Sequence, residues 1–206
     1  MHPHEALVES ARLTAAVGGS IVEREERYTA AVDDMKELRS ASRERNYRAL
    51  ADRENVDVID GRASFANATH LTVATRRHAQ HRGEAHLHRH RLAAEAAFHP
   101  RHRQPRVFVS SSLIELPTLP RQLVIIGGGY VGLEFASFYT DFGAQVTILQ
   151  NSDAILAHED PETAEAVRRS LEDRGVTIVY DAHVTRIDDE HDQVLVFAQV
   201  NGEEKR

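Results

Sequence analysis

An apolar run, Leu123-Val124-Ile125-Ile126, leads without interruption into Gly127-Gly128-Gly129-Tyr130-Val131-Gly132, and then into a helical pattern. The six residues fit G-x-G-x-x-G, and the order of strand, glycines and helix is the context that gives this motif meaning. Gly127 permits a tight turn, Gly129 lets a pyrophosphate approach the backbone, and Gly132 lets the helix pack closely on the strand. The helix start, through Tyr130 and Val131, presents free N–H groups and a positive dipole end, worth roughly 0.3–1 kcal/mol for each well-placed negative charge. A glycine-rich turn with no ligand is the bland reading. With both flanks in place, the sequence points to dinucleotide binding.

The next residues extend the same unit. Phe135, Ala136, Phe138, Tyr139 and Phe142 form an apolar helix stripe, which Gly143 ends. Val146 to Leu149 reads as the second strand, with Gln150 at its end. An acidic residue at that place holds the ribose 2′-hydroxyl of NAD, and a nearby Arg accommodates the 2′-phosphate of NADP. Gln150 is neither, and no Lys or Arg occurs from Asn151 to Val167. The sequence therefore leaves NAD and NADP open.

A helix is expected from Glu5 to Ala16, stopped by Gly18-Gly19, and a longer one from Tyr28 to Asp52. Val56–Phe65 and His70–Ala74 alternate like strands. Asp160 and Pro161 open a further helix that Gly175 ends, and strands follow at Val176–Tyr180, His183–Ile187 and Gln193–Val200. The formal charge of −7 gives no reason to expect nucleic acid, and no apolar run has membrane length, so the cytoplasm is the default location. The chain contains no cysteine, hence no thiolate nucleophile and no Cys-based metal site.

Residues 76–106 break the pattern. Seven of the thirteen histidines lie between His78 and His102, and eight arginines face two acids over the wider stretch. The segment carries +6, which leaves −13 for the rest of the chain. His86, His88 and His90 alternate and would share one face of a strand, a pattern that suits Zn²⁺ or Cu²⁺. A solvated basic loop or a nucleic-acid arm is the other reading from composition alone.

GGGYVGLEFASFYTDFGAQVTIL and HEDPETAEAVRRSLEDRGVTI resemble the pyridine nucleotide-disulfide oxidoreductases, near the mercuric reductase and dihydrolipoamide dehydrogenase branch. ALVESARL, RERNYRAL, VDVIDGRASF and SSSLIELPTLP resemble the same family's FAD domain and its passage into the NAD(P) domain. The resemblance implies an α/β fold: an incomplete remnant of an FAD-binding domain over residues 1–116, then a Rossmann-like NAD(P)-binding domain over 117–206 that stops before its last strand. It implies an intact parent that is a homodimer and carries electrons from NAD(P)H through FAD to a cysteine pair. Tyr130 resembles the tyrosine that lies over the flavin until nicotinamide displaces it, and Glu134 the glutamate at the nicotinamide end. Apart from the resemblance they read as a surface aromatic and a solvated helix charge.

The departures are as informative as the match. The family's first glycine motif, its redox cysteines and its interface domain with the catalytic histidine are not in this sequence. Codons for Met1-His2-Pro3-His4-Glu5, read one base later, can give Cys-Ile-Pro-Thr-Lys, the family's redox motif. Codons for His86 to Ala94 and Ala97 to Arg103, shifted alike, can give Ile-Phe-Ile-Asp-Thr-Gly-Ser-Arg-Pro and Pro-Ser-Ile-Pro-Gly-Ile-Asp, which resemble its flavin-covering turn. The expectation is therefore an inactive or weakly nucleotide-binding piece of a flavoenzyme, with 76–106 out of frame and an unpaired sheet edge. The alternative is a stand-alone dinucleotide sensor with a His-rich metal-binding or regulatory arm. The electron acceptor stays open among Hg²⁺, lipoamide and another disulfide.

Overall fold

The structure, a computed structural model, describes residues 3–67, 69–74, 79–82, 106–190 and 193–206. The His86, His88 and His90 alternation and the shifted-frame readings of 86–94 and 97–103 lie outside those residues, as do Met1 and His2 of the first shifted motif. The described parts of Met1–Arg39 and Ala94–Arg206 form one compact unit, and those of Ser40–Ala93 another.

The first unit opens with helix α1 (Pro3–Val17), which ends at Gly18 and Gly19, both at positive φ. Helix α2 (Ile21–Ala51) starts upstream of the expected Tyr28. The cause is a capping box: Ser20 N–H donates to Glu23 Oε2 at 2.7 Å, and Glu23 N–H donates back to Ser20 Oγ at 3.4 Å. These Ser20 hydrogen bonds hold the Glu23 carboxyl below its ordinary pKa. Beyond Arg39 the helix enters the second unit. There β1 (Arg62–Asn67), β2 (His70–Ala74) and β3 (Ala79–Arg82) form an antiparallel sheet in that order. The expected strand from Val56 becomes regular only at Arg62.

A short helix α3 (Ser110–Leu113), not foreseen from sequence, precedes the central element set. Strand β4 (Gln122–Ile126), helix α4 (Tyr130–Phe142) and strand β5 (Gln145–Leu149) form a βαβ unit, followed by α5 (Pro161–Glu172) and β6 (Thr177–Val179). The three strands are parallel in the order β4-β5-β6, with Leu123 opposite Val146 and Ile125 opposite Ile148. Gly143 ends α4 in the left-handed region (φ +105°), its N–H donating to Thr140 O and Tyr139 O. Asp160 caps α5, accepting from Glu162 N–H at 2.9 Å and Thr163 N–H at 3.2 Å.

Among the described residues β4 is an edge strand with β5 as its one partner. Its residues alternate: Leu123 and Ile125 turn to the core, while Val124 and Ile126 are 42% and 51% exposed. An open groove of about 1580 Å³ runs beside this strand, lined in part by Val107, Phe108, Ile187 and Val196. Strands β7 (Ala182–Glu190), β8 (Gln193–Val200) and β9 (Glu203–Lys205) form an antiparallel meander. β9 was not expected from sequence. It follows from Asn201-Gly202, both at positive φ (53° and 81°), the turn chemistry of a two-residue hairpin.

The core of the first unit lies between α4 and the two N-terminal helices. Leu7 and Ala11 of α1, Tyr28, Ala31 and Val32 of α2, and the whole α4 stripe from Phe135 to Phe142 are buried together with Val146 and Ile148. Tyr28 and Tyr139 meet at its centre. Tyr28 OH reaches Leu116 O at 2.8 Å, Tyr139 OH reaches Leu113 O at 3.0 Å, and the hydroxyls lie 3.1 Å apart. Two protons serve three contacts, and both carbonyl ends of the α3 region are anchored by them. Burial raises the pKa of both phenols.

Candidate functional site

The site is the junction of β4 and α4. Gly127 leaves the strand with φ +102°, the left-handed region that an L side chain enters only with strain, and its N–H donates to Leu149 O at 2.9 Å. That bond ties the turn to the neighbouring strand. Gly132, one turn into α4, lies against the same residue: a Cβ there would stand 2.3 Å from Gly127 O and 3.2 Å from Ile125 Cγ2. Gly132 is thus the close-packing glycine. Gly129 differs. It forms the N-cap of α4 in extended conformation, and a Cβ built on it meets nothing within 4 Å. The motif therefore divides into two glycines that shape the turn and one whose missing side chain leaves open space in front of the helix.

The first intrahelical bond of α4 runs from Leu133 N–H to Gly129 O at 3.0 Å. The N–H groups of Tyr130, Val131 and Gly132 precede it and have no partner within the helix. Val131 is 53% exposed beside them. The combination of directed N–H groups, a helix dipole and open space at Gly129 suits a phosphate diester more than any neutral ligand.

Gln150, only 8% exposed, turns its amide inward. Its Oε1 accepts from Gly128 N–H at 2.8 Å, and its Nε2 donates to Ser152 Oγ at 2.6 Å and to Ala154 O at 2.9 Å. Gly128 N–H can only donate and Ala154 O can only accept, so the amide has one satisfiable orientation. The loop it grips folds onto the glycine turn as well. Leu156 N–H donates to Gly128 O at 3.2 Å, and buried Ile155 covers Gly128 so closely that a Cβ there would lie 2.6 Å from Ile155 Cγ2. Leu156 itself sits at φ +50°, an uncommon conformation for a leucine that these contacts hold.

Tyr130 is 60% exposed, and its hydroxyl donates to the Glu159 carboxylate, which raises the phenol pKa. Glu134 lies farther along α4 and pairs with His4 of α1, Nε2 to Oε2 at 3.3 Å. The structure therefore brings Gly127, Gly129, Tyr130, Val131, Gly132 and Gln150 to one corner, with Glu134 on the next turn facing α1. The strap formed by Ser152, Ile155, Leu156 and Glu159 escaped sequence reasoning. The signal for it in the sequence is the short apolar run Ala154-Ile155-Leu156-Ala157 between polar residues.

Among the described residues no group of three or more His, Asp or Glu side chains is placed to hold a metal ion, and no helix is long and apolar enough to cross a membrane.

Comparison with known proteins agrees with this geometry. The family model for the pyridine nucleotide-disulphide oxidoreductases matches residues 122–202, which spans β4 through the β8–β9 turn. The chain is 36% identical over 181 residues to RclA of Escherichia coli (strain K12), described as a probable pyridine nucleotide-disulfide oxidoreductase; the match covers 84% of this chain and 40% of that protein. It is 29% identical over 173 residues to a mercuric reductase of Lysinibacillus sphaericus, covering 80% of this chain and 30% of the relative. Among solved structures, a Cu(II) complex of a variant of the HOCl-induced flavoprotein disulfide reductase RclA from Escherichia coli superposes with a TM-score of 0.80 at 30% identity, covering 99% of this chain and 44% of that one. The chain thus spans well under half the length of the relatives it matches. With an α/β architecture, a parallel sheet and the glycine motif inside the matched span, residues 122–202 of the chain belong to the pyridine nucleotide-disulphide oxidoreductase family.

Proposed function

We propose that residues 117–206 form the NAD(P)-binding part of an FAD- and NAD(P)H-dependent oxidoreductase of the disulfide-reductase type, and that residues 1–116 correspond to part of its FAD-binding domain. One observation carries this reading: the open space at Gly129 in front of the free N–H groups of α4. Gly127, Gly129, Val131 and Gly132 would hold the pyrophosphate, Tyr130 and Glu134 would border the nicotinamide end, and Gln150 would stand at the adenosine end. Bound there, a reduced nicotinamide supplies a hydride; the residues of this chain bind and orient it.

The 206-residue chain by itself is proposed to bind the dinucleotide weakly and to lack disulfide-reductase turnover. It holds no cysteine, so it brings no redox dithiol. Glu134 is engaged with His4, and among the described residues the strand behind the glycine turn pairs on one side alone, with Val124 and Ile126 exposed. Titration of the purified chain with NADH and NADPH, followed by calorimetry, tests the reading. Saturable weak binding that Gly129→Ala abolishes supports it. Micromolar affinity refutes the weak-binding part, and visible flavin retained through purification refutes the view that this chain lacks a complete flavin site. Tight stoichiometric Zn²⁺ uptake would favour the stand-alone sensor with a His-rich arm.

A further inference from the structure

The residue at the end of the second strand of a dinucleotide fold reads the ribose 2′ position with its side chain. Gln150 occupies that place but points the other way. Its amide is buried and fully occupied: one acceptor on Gly128 N–H, two donors on Ser152 Oγ and Ala154 O. We propose that Gln150 is a positioning residue, an amide clamp that fastens the middle glycine of the phosphate turn to the Asn151–Asp160 loop, and that it does not read the ribose. The coenzyme part of this inference rests on the dinucleotide reading above; the clamp itself does not.

The chemistry demanded is specific. The pocket offers one backbone donor at Gly128 and one backbone acceptor at Ala154, with Ser152 Oγ, itself turned toward Ala154 O at 3.1 Å, between them. Only a side chain with both an acceptor and a donor satisfies them. A carboxylate matches Gly128 N–H but sets its second oxygen against Ala154 O; a carboxylic acid, donating its proton to Ala154 O, matches both. The neighbouring titratable groups are Asp153 and Glu159 of the loop, and Asp181 and His183 at the start of β7. Position 150 is buried and faces the Ala154 carbonyl oxygen, and both features favour the protonated form of any carboxyl placed there.

Gln150→Glu is therefore a pH-dependent lesion. The introduced carboxyl has its folded-state pKa raised above the unfolded value of about 4.3. Its full contribution to stability is present below that value and is lost as pH rises through the folded pKa. The difference in melting temperature from the wild type is expected to be small at pH 4 and to widen steadily to pH 7. A pH-independent difference overturns the clamp.

Gln150→Met keeps the volume without the hydrogen bonds and does not titrate. In it, hydrogen exchange at the Gly128 amide is expected to accelerate roughly tenfold, the loss of one hydrogen bond. Unchanged exchange at Gly128 overturns the clamp too.

The same variant separates positioning from ribose reading. A loosened turn weakens NADH and NADPH by a common factor, whereas a ribose-reading side chain would change their ratio. A shifted ratio overturns the second half of the proposal. Absence of binding by either coenzyme in the wild type, with the exchange and pH results as expected, counts against the dinucleotide reading and leaves the clamp standing.

Discussion

Replacing Gly132 by Ala sets two effects of opposite sign against each other. In an exposed helix, Gly→Ala stabilises by about 1 kcal/mol. Here the new methyl would stand 2.3 Å from Gly127 O and 3.2 Å from Ile125 Cγ2, and the first of these is backbone. The Gly127 peptide cannot simply retreat, because its N–H is bonded to Leu149 O at 2.9 Å. Either α4 lifts from β4 or the turn leaves β5. Overpacking of this kind costs about 1–3 kcal/mol, and more where the obstacle is rigid. The net expectation for Gly132→Ala is a loss of about 2 kcal/mol, or a melting temperature roughly 4–8 °C lower for a domain of this size. Gly129→Ala is the control: its Cβ meets nothing within 4 Å, so its stability should stay within about 0.5 kcal/mol of the wild type. The assay is urea denaturation followed by circular dichroism, paired with the coenzyme titration. A Gly132→Ala protein as stable as the wild type, or a Gly129→Ala protein that is markedly unstable, would show that the two glycines do not divide the work as described.

Tyr28 and Tyr139 keep their protons in the folded state, with pKa values raised by burial, while an unfolded tyrosine ionises near its usual value of about 10. Above that pH the unfolded state binds fewer protons, so stability falls as pH rises, and tyrosinate absorbance should grow in step with loss of helical signal. Ionisation of all tyrosines before unfolding would contradict the buried pair. Asp160→Ala should cost about 1 kcal/mol by freeing the Glu162 and Thr163 amides, measurable by denaturant titration. Leu7→Ala, at a fully buried position between α1 and α4, should cost about 2–5 kcal/mol; a value under 1 would mean that α1 does not belong to this core. The nucleotide sequence of the gene checks the frame reading of 76–106: codons that give Thr-Gly-Ser-Arg-Pro one base later support it, and incompatible codons make the His-rich segment genuine.

The β4–turn–α4 unit was legible because each of its determinants is local: an apolar run, glycines at fixed offsets and a stripe from Phe135 to Phe142. The start of α2 and the strand β9 were written just as locally, in Ser20–Glu23 and in Asn201-Gly202, but those short signals were outweighed by longer patterns around them. The orientation of Gln150 was not legible at all. It depends on where Gly128 stands, on a loop conformation with Leu156 in the left-handed region, and on a backbone carbonyl at Ala154, none of which leaves a trace in residue spacing. The pairing of Glu134 with His4 belongs to the same class, since it exists only once α1 has docked.

The contact between Tyr28 and Tyr139 spans 111 residues of chain. On a ribosome elongating at about 5–20 residues per second, that separation is a delay of roughly 5–20 seconds between the emergence of the first partner and the second. Through that interval the apolar faces of α1 and α2, with Leu7, Ala11, Tyr28 and Val32, have been made and have nothing of α4 to cover them. The native core therefore closes late and all at once, when Phe135 to Phe142 arrives. Nascent chains halted before α4 should be the ones that bind a chaperone, and chains halted beyond β5 should begin to escape it.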